Sequence, residues 1–164
     1  MIQVRIAGLS LDPATEQPVL LLTPVDGPVE GEPRRVLPIW IGHGEASAII
    51  LTLQGIAPPR PMTHDLLKAM VEVTGHLVAR VEVTRIEEGT FYAAIVLRAE
   101  DRMVVVDARP SDSIALAVRT GSPIYVDDGV FEESAVEVTE VDEEAEVERF
   151  RDFLDHVDPS DFMS

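Results

Sequence analysis

Three short segments hold most of the residues able to do chemistry. Gly42-His43-Gly44-Glu45 sets a histidine and a carboxylate beside two glycines. Arg60-Pro61-Met62-Thr63-His64-Asp65 joins a guanidinium, an imidazole and a carboxylate, and Asp107-Ala108-Arg109-Pro110-Ser111-Asp112 returns to arginine and carboxylate. Together these types suit phosphodiester cleavage. The carboxylates of Glu45, Asp65, Asp107 and Asp112 are hard oxygen donors of the kind that hold Mg²⁺ or Mn²⁺. Such an ion polarises a phosphate and activates water. Arg60 and Arg109 can grip phosphate oxygens two at a time. His64 can move protons near neutral pH. His43 is a weaker candidate, and His76 and His156 read as surface residues.

All three segments sit where a helix is expected to begin. Glycine there exposes backbone N–H groups to an anion. Acids, Ser and Thr at such places are also ordinary caps, contributing about 0.5–2 kcal/mol. Thr63 reads as one of these N-caps, with Asp65 in the first turn. A second structural role is an internal salt-bridge network, in which Arg60 or Arg109 pairs with Asp65, Asp107 or Asp112. A catalytic cluster leaves carboxylate oxygens open to a cleft, whereas a purely structural one buries and satisfies them. His64-Asp65 and the 107–112 segment are expected to converge, with Arg60 and Arg109 on one rim.

The elements that position these residues follow from periodicity. Ile2, Val4 and Ile6 alternate with polar residues, as in a half-buried strand. Val19–Leu22 and Arg35–Ile41 are two more strands, separated by a loop rich in Pro, Gly and acids. Ala46, Ile49, Ile50 and Leu53 recur at helical spacing, closed by Gly55. The stiff connector 57–61 leads to a helix over 63–75. Leu77–Ile86 and Thr90–Leu97 form a hairpin turning at Glu88-Gly89. Met103–Val106 is a strand, Pro110 suits the first turn of a helix closed by Gly121, and Ile124–Val126 is a short strand. A shift of 66 positions lays Ile39-Trp40-Ile41 on Val105-Val106-Asp107 and Gly55 on Gly121. The expected fold is therefore α+β: two pseudo-repeated three-strand-plus-helix units joined by a helix. Phe150, Phe153, Leu154 and Val157 add a C-terminal amphipathic helix. The division is residues 1–135 for the domain and 136–164 for the acidic helix.

Bulk properties exclude several classes. The 164 residues contain no cysteine, which removes disulfides, thiolate catalysis and thiolate zinc sites. There is no signal-peptide pattern and no apolar run near the ~20 residues that cross a bilayer, so a cytoplasmic location without membrane contact is expected. Lys68 is the only lysine, a composition typical of a GC-rich bacterial genome. The net charge of −17 opposes nonspecific binding of nucleic acid. Residues 140–161 carry ten acids and two arginines, about half of that excess, as a solvated helix face would. GxGxxG, GxxxxGK, HExxH and GxSxG are all absent. Trp40, Phe91, Tyr92, Tyr125 and Phe131 are many large rings for a small domain, and a homo-oligomer, most simply a two-fold dimer, is expected.

LPIWIGHGEASAI at 37–49, PPRPMTHDLLK at 58–68, GTFYA at 89–93 and VDARPSDSIALAVRTGSPIYV at 106–126 resemble the bifunctional nuclease family. The resemblance covers most of residues 35–130, and the pairing of RPMTHDLL with DARPSDSIALA is its most specific part. It implies an α+β fold and nuclease activity on DNA and RNA. By position it carries over Glu45, Arg60, Thr63, His64, Asp65, Asp107, Arg109, Ser111 and Asp112. Of these, His64, Asp65, Asp107 and Asp112 are the catalytic candidates. Arg60, Thr63, Arg109 and Ser111 are the substrate-binding ones. The expected function is metal-dependent hydrolysis of nucleic acid. The alternative is a non-catalytic oligomeric module that binds a protein partner or a small anionic ligand, which the negative charge favours.

Overall fold

The computed structural model describes residues 1–138 and 152. Runs of alternating or β-branched residues form β1 (Ile2–Leu11), β2 (Pro18–Pro24) and β3 (Arg34–Trp40), followed by α1 (His43–Leu53). After α2 (Thr63–Val73) come β4 (Leu77–Glu87), β5 (Thr90–Ala99) and β6 (Arg102–Ala108), then α3 (Pro110–Thr120). The described chain closes with β7 (Ile124–Val126), α4 (Asp128–Ser134) and β8 (Val136–Val138). Eight strands form one mixed sheet in the order β6-β5-β4-β7-β1-β2-β3-β8, so the class is α+β.

β7 lies between two antiparallel meanders, each with its first strand innermost and each followed by a helix. β1 runs antiparallel to β7 and β4 parallel to it, so β1 and β4 point in opposite directions. Local details recur in the two units. Ser47 and Ser113 each donate a hydroxyl to the carbonyl four residues back, His43 and Arg109. Gly55 and Gly121 follow their helices with a left-handed φ of +69°, which glycine adopts without a Cβ penalty. The helix starts, His43 and Pro110, lie 67 positions apart rather than 66.

The β4–β5 hairpin turns where expected, with φ of +49° at Glu88 and +77° at Gly89. Positive φ at both central residues matches the right-handed twist of the strands. The core is aliphatic. Leu20, Leu22, Leu37 and Ile39 from one meander and Val81, Val83 and Ile95 from the other pack with Ile49, Ile114 and Leu116 of the helices. Alanines at 46, 115 and 117 are fully buried.

Three local expectations change. Thr63 is the first residue of α2 rather than its cap; Met62 is the extended residue before it. Residues 128–134, for which no element was expected, form α4, and residues 136–138, assigned to the acidic helix, form β8. Residues 136–138 pair with β3 in place of helix. The amphipathic helix expected around Phe150–Val157 lies outside the described residues.

Candidate active site

The first turns of α1, α2 and α3 meet through side chains. Arg109, the residue before α3, is the hub. Its Nε donates to Asp112 Oδ2 at 2.8 Å and its Nη2 to Asp112 Oδ1 at 3.1 Å. Nη2 also donates to Glu45 Oε1 of α1 at 2.8 Å. Asp112 Oδ1 lies 2.9 Å from His64 Nε2, the second residue of α2. Three helix N-termini are thus linked through Arg109 and Asp112, and the carboxylates among them complement the positive helix ends.

Gly42 explains how Glu45 takes its place. A Cβ on Gly42 would stand 2.1 Å from Glu45 Oε2, so the carboxylate folds back into space that only glycine leaves free. Glu45 titrates below its ordinary value because it accepts its own backbone N–H and, next, the Arg109 guanidinium. Burial pushes Asp112 up, but the hydrogen bonds from Arg109 and His64 outweigh it and hold Asp112 below the usual carboxylate range. The same pairings, Asp112 first, raise Arg109.

The pairing is not a buried tie. The Arg109 side chain is 64% exposed, and exposed ion pairs contribute only about 0–1 kcal/mol. What the two carboxylates achieve is orientation. They occupy three of the five N–H groups of the guanidinium and leave both on Nη1 without a partner among the described residues. A cleft of about 310 Å³ opens beside it, lined by Trp40, Gly42, Phe91, Arg109 and Ser111. Ser111 is 6% exposed, and its hydroxyl has no hydrogen-bond partner among the described residues.

The expected residues are therefore divided. His64, Asp112, Arg109 and Glu45 are brought together, and Ser111 lines the adjoining cleft. Asp65 turns elsewhere: Oδ2 accepts the Met62 N–H at 2.9 Å and Oδ1 accepts Arg119 Nε at 2.8 Å. Burial raises Asp65, and these two donors more than reverse the shift. Asp107, Arg60 and Thr63 are exposed, and their side chains are unpartnered among the described residues. Arg119 was not expected to matter. Its side chain is 5% exposed and also donates to the carbonyls of Ala115 and Ala48, which fastens α3 to α1 and α2. An arginine closing the apolar stretch SIALAVR was the available signal.

No three His, Asp or Glu side chains gather as a metal site among the described residues. Both oxygens of Asp112 and both of Asp65 already accept hydrogen bonds, and Asp107 stands apart.

The bifunctional nuclease domain matches residues 28–139, most of the chain and all three site segments. The chain belongs to the bifunctional nuclease domain family. An uncharacterized protein of Mycobacterium tuberculosis is 45% identical to this family member over 170 residues, spanning 99% of this chain and 98% of the relative. Bifunctional nuclease 2 of Arabidopsis thaliana is 32% identical over 94 residues, 56% of this chain and 29% of that protein. Bifunctional nuclease 1 of Oryza sativa subsp. japonica is 30% identical over 94 residues, 56% of this chain and 28% of that protein. In this family domain no described helix is long and apolar enough to cross a membrane.

Proposed function

We propose that the protein hydrolyses phosphodiester bonds of DNA, RNA or both, at the Arg109–Asp112–His64 cluster. The observation that carries the reading is the guanidinium of Arg109, aimed by two carboxylates with both Nη1–H groups left for an anion. Those two donors suit a bidentate phosphate contact, in which the charge-assisted bonds strengthen as the phosphate gains negative charge. His64 supplies the proton transfer. When Nε2–H donates to ionised Asp112, the lone pair lies on Nδ1, which takes a proton from the attacking water and returns it to the leaving oxygen as the P–O bond breaks. Asp112 holds that tautomer and stabilises the imidazolium that results. Ser111 lines the cleft, which supports a role for its hydroxyl as a further donor to the substrate.

Metal dependence, expected from the carboxylates, gains no support from a donor set already committed to arginine and backbone partners. No step is routed through an ion. The second reading, a module that binds a small anionic ligand without cleaving it, is favoured by the full engagement of Asp112. One experiment separates the two. Highly purified protein is incubated with end-labelled single- and double-stranded DNA and RNA, in Mg²⁺, Mn²⁺ or EDTA. Asp112→Asn protein purified identically serves as the contamination control. Cleavage that falls with the variant supports hydrolysis; retention of substrate on the protein without cleavage supports the binding module. Equal cleavage by both proteins removes the assignment.

A further inference from the structure

The two ends of the sheet differ. At one end lies β8, described over Val136–Val138. At the other end is β6, seven residues long, bonded to β5 on one side and to no described strand on the other. Met103, Val104, Val105 and Val106 are all exposed, Val105 by 67%. Consecutive apolar residues beside a row of N–H and C=O groups that no described strand pairs invite a further strand.

We propose that β6 pairs antiparallel with β6 of a second copy of this chain, across a two-fold axis that makes one continuous sheet. This surface is independent of the hydrolytic reading. Two arguments select a second copy. The first is symmetry. A two-fold axis perpendicular to the sheet requires residues of equal parity to face each other, since neighbours along a strand point to opposite faces. With the axis at Val105, Val104 faces Val106 and Val105 faces itself, so the three valines cover their own image while Met103 lies opposite Asp107. The second is charge. The chain as a whole carries −17, yet around this edge Arg98, Arg102 and Arg109 stand against Glu100, Asp101 and Asp107. The antiparallel arrangement lays the Arg102 end of one strand along the Asp107 end of the other. A parallel arrangement in register sets Arg102 beside Arg102 and Asp107 beside Asp107.

The test uses the full chain and the absence of native cysteine. Sedimentation equilibrium at tens of micromolar is expected to show a dimer, and Val105→Lys to raise its dissociation constant by at least about tenfold by placing like charges opposite each other. Val105 is exposed, so the variant is expected to keep the wild-type circular dichroism spectrum, while its melting temperature loses the concentration dependence that dimerisation gives the wild type. Val105→Cys is expected to form a disulfide-linked dimer under mild oxidation, whereas Val73→Cys on α2 is not. A wild-type monomer overturns the proposal. So does a dimer that Val105→Lys leaves intact and Val105→Cys fails to cross-link, because the contact then lies elsewhere.

Discussion

His64 Nε2 and Asp112 Oδ1 lie 2.9 Å apart, joining the start of α2 to the start of α3 across 48 positions of sequence. Asp65, the very next residue after His64, takes no part in that contact and instead holds Arg119. Adjacent residues on a helix point about 100° apart, so one serves the cluster and the other the helix packing.

Asp112→Asn is expected to lower cleavage by about 100-fold or more, within the range of a proton-transfer group that loses its orienting partner. Asp107→Asn is expected to leave cleavage at the wild-type level, since Asp107 touches none of the clustered side chains. Single-turnover rates of both variants check this, and equal loss in the two would return Asp107 to the site.

Arg109→Ala removes the exposed guanidinium. The expected result is a loss of about 10–100-fold in kcat/KM, the worth of one to two charge-assisted hydrogen bonds. The melting temperature is expected to change little, because the side chain is largely solvated. A large drop in thermal stability with unchanged cleavage would make Arg109 a structural tie.

Asp65→Ala is expected to act on stability. It leaves the guanidinium of Arg119 buried, with two backbone carbonyls as its remaining acceptors. Breaking such a pair costs about 3 kcal/mol, which lowers Tm by roughly 6–12 °C in a chain of this size. Cleavage measured well below the new Tm is expected to persist.

Gly42→Ala tests how Glu45 is seated. The backbone of Gly42 is extended, so alanine is not strained there, but its Cβ meets Glu45 Oε2. The flexible carboxylate is expected to swing away at a cost below about 1 kcal/mol. Arg109 is then less well aimed, and KM for substrate is expected to rise as it does in Glu45→Gln. An unchanged KM in both variants would show that Asp112 alone aims Arg109.

Acid is expected to destabilise the fold through the same carboxylates. Glu45, Asp65 and Asp112 titrate below ordinary values of 4.5, 3.8 and 3.8. Below those values the unfolded chain binds more protons than the folded one, so stability rises with pH through this window. The contribution is complete above the ordinary values and is lost as pH falls through the lowered ones. Urea unfolding between pH 2.5 and 6 is expected to show the slope, and Asp112→Asn to flatten it.

Much of the fold was legible in the sequence. Period-two and period-3.6 patterns mark strands and helices because each element buries one face, and Gly55, Gly89 and Gly121 mark places where φ must be positive. The clustering of chemical residues at three helix starts was also legible, since caps and first-turn acids are local features. What only the tertiary structure decided is which carboxylate meets which cation. His64-Asp65 and Arg109–Asp112 carry interchangeable charges, and a one-residue difference in position selects Asp112 for His64 and Asp65 for Arg119. That selection depends on how α1, α2 and α3 are set against one another by the alanines and aliphatic side chains between them and the sheet, a long-range packing result that no short window of sequence contains.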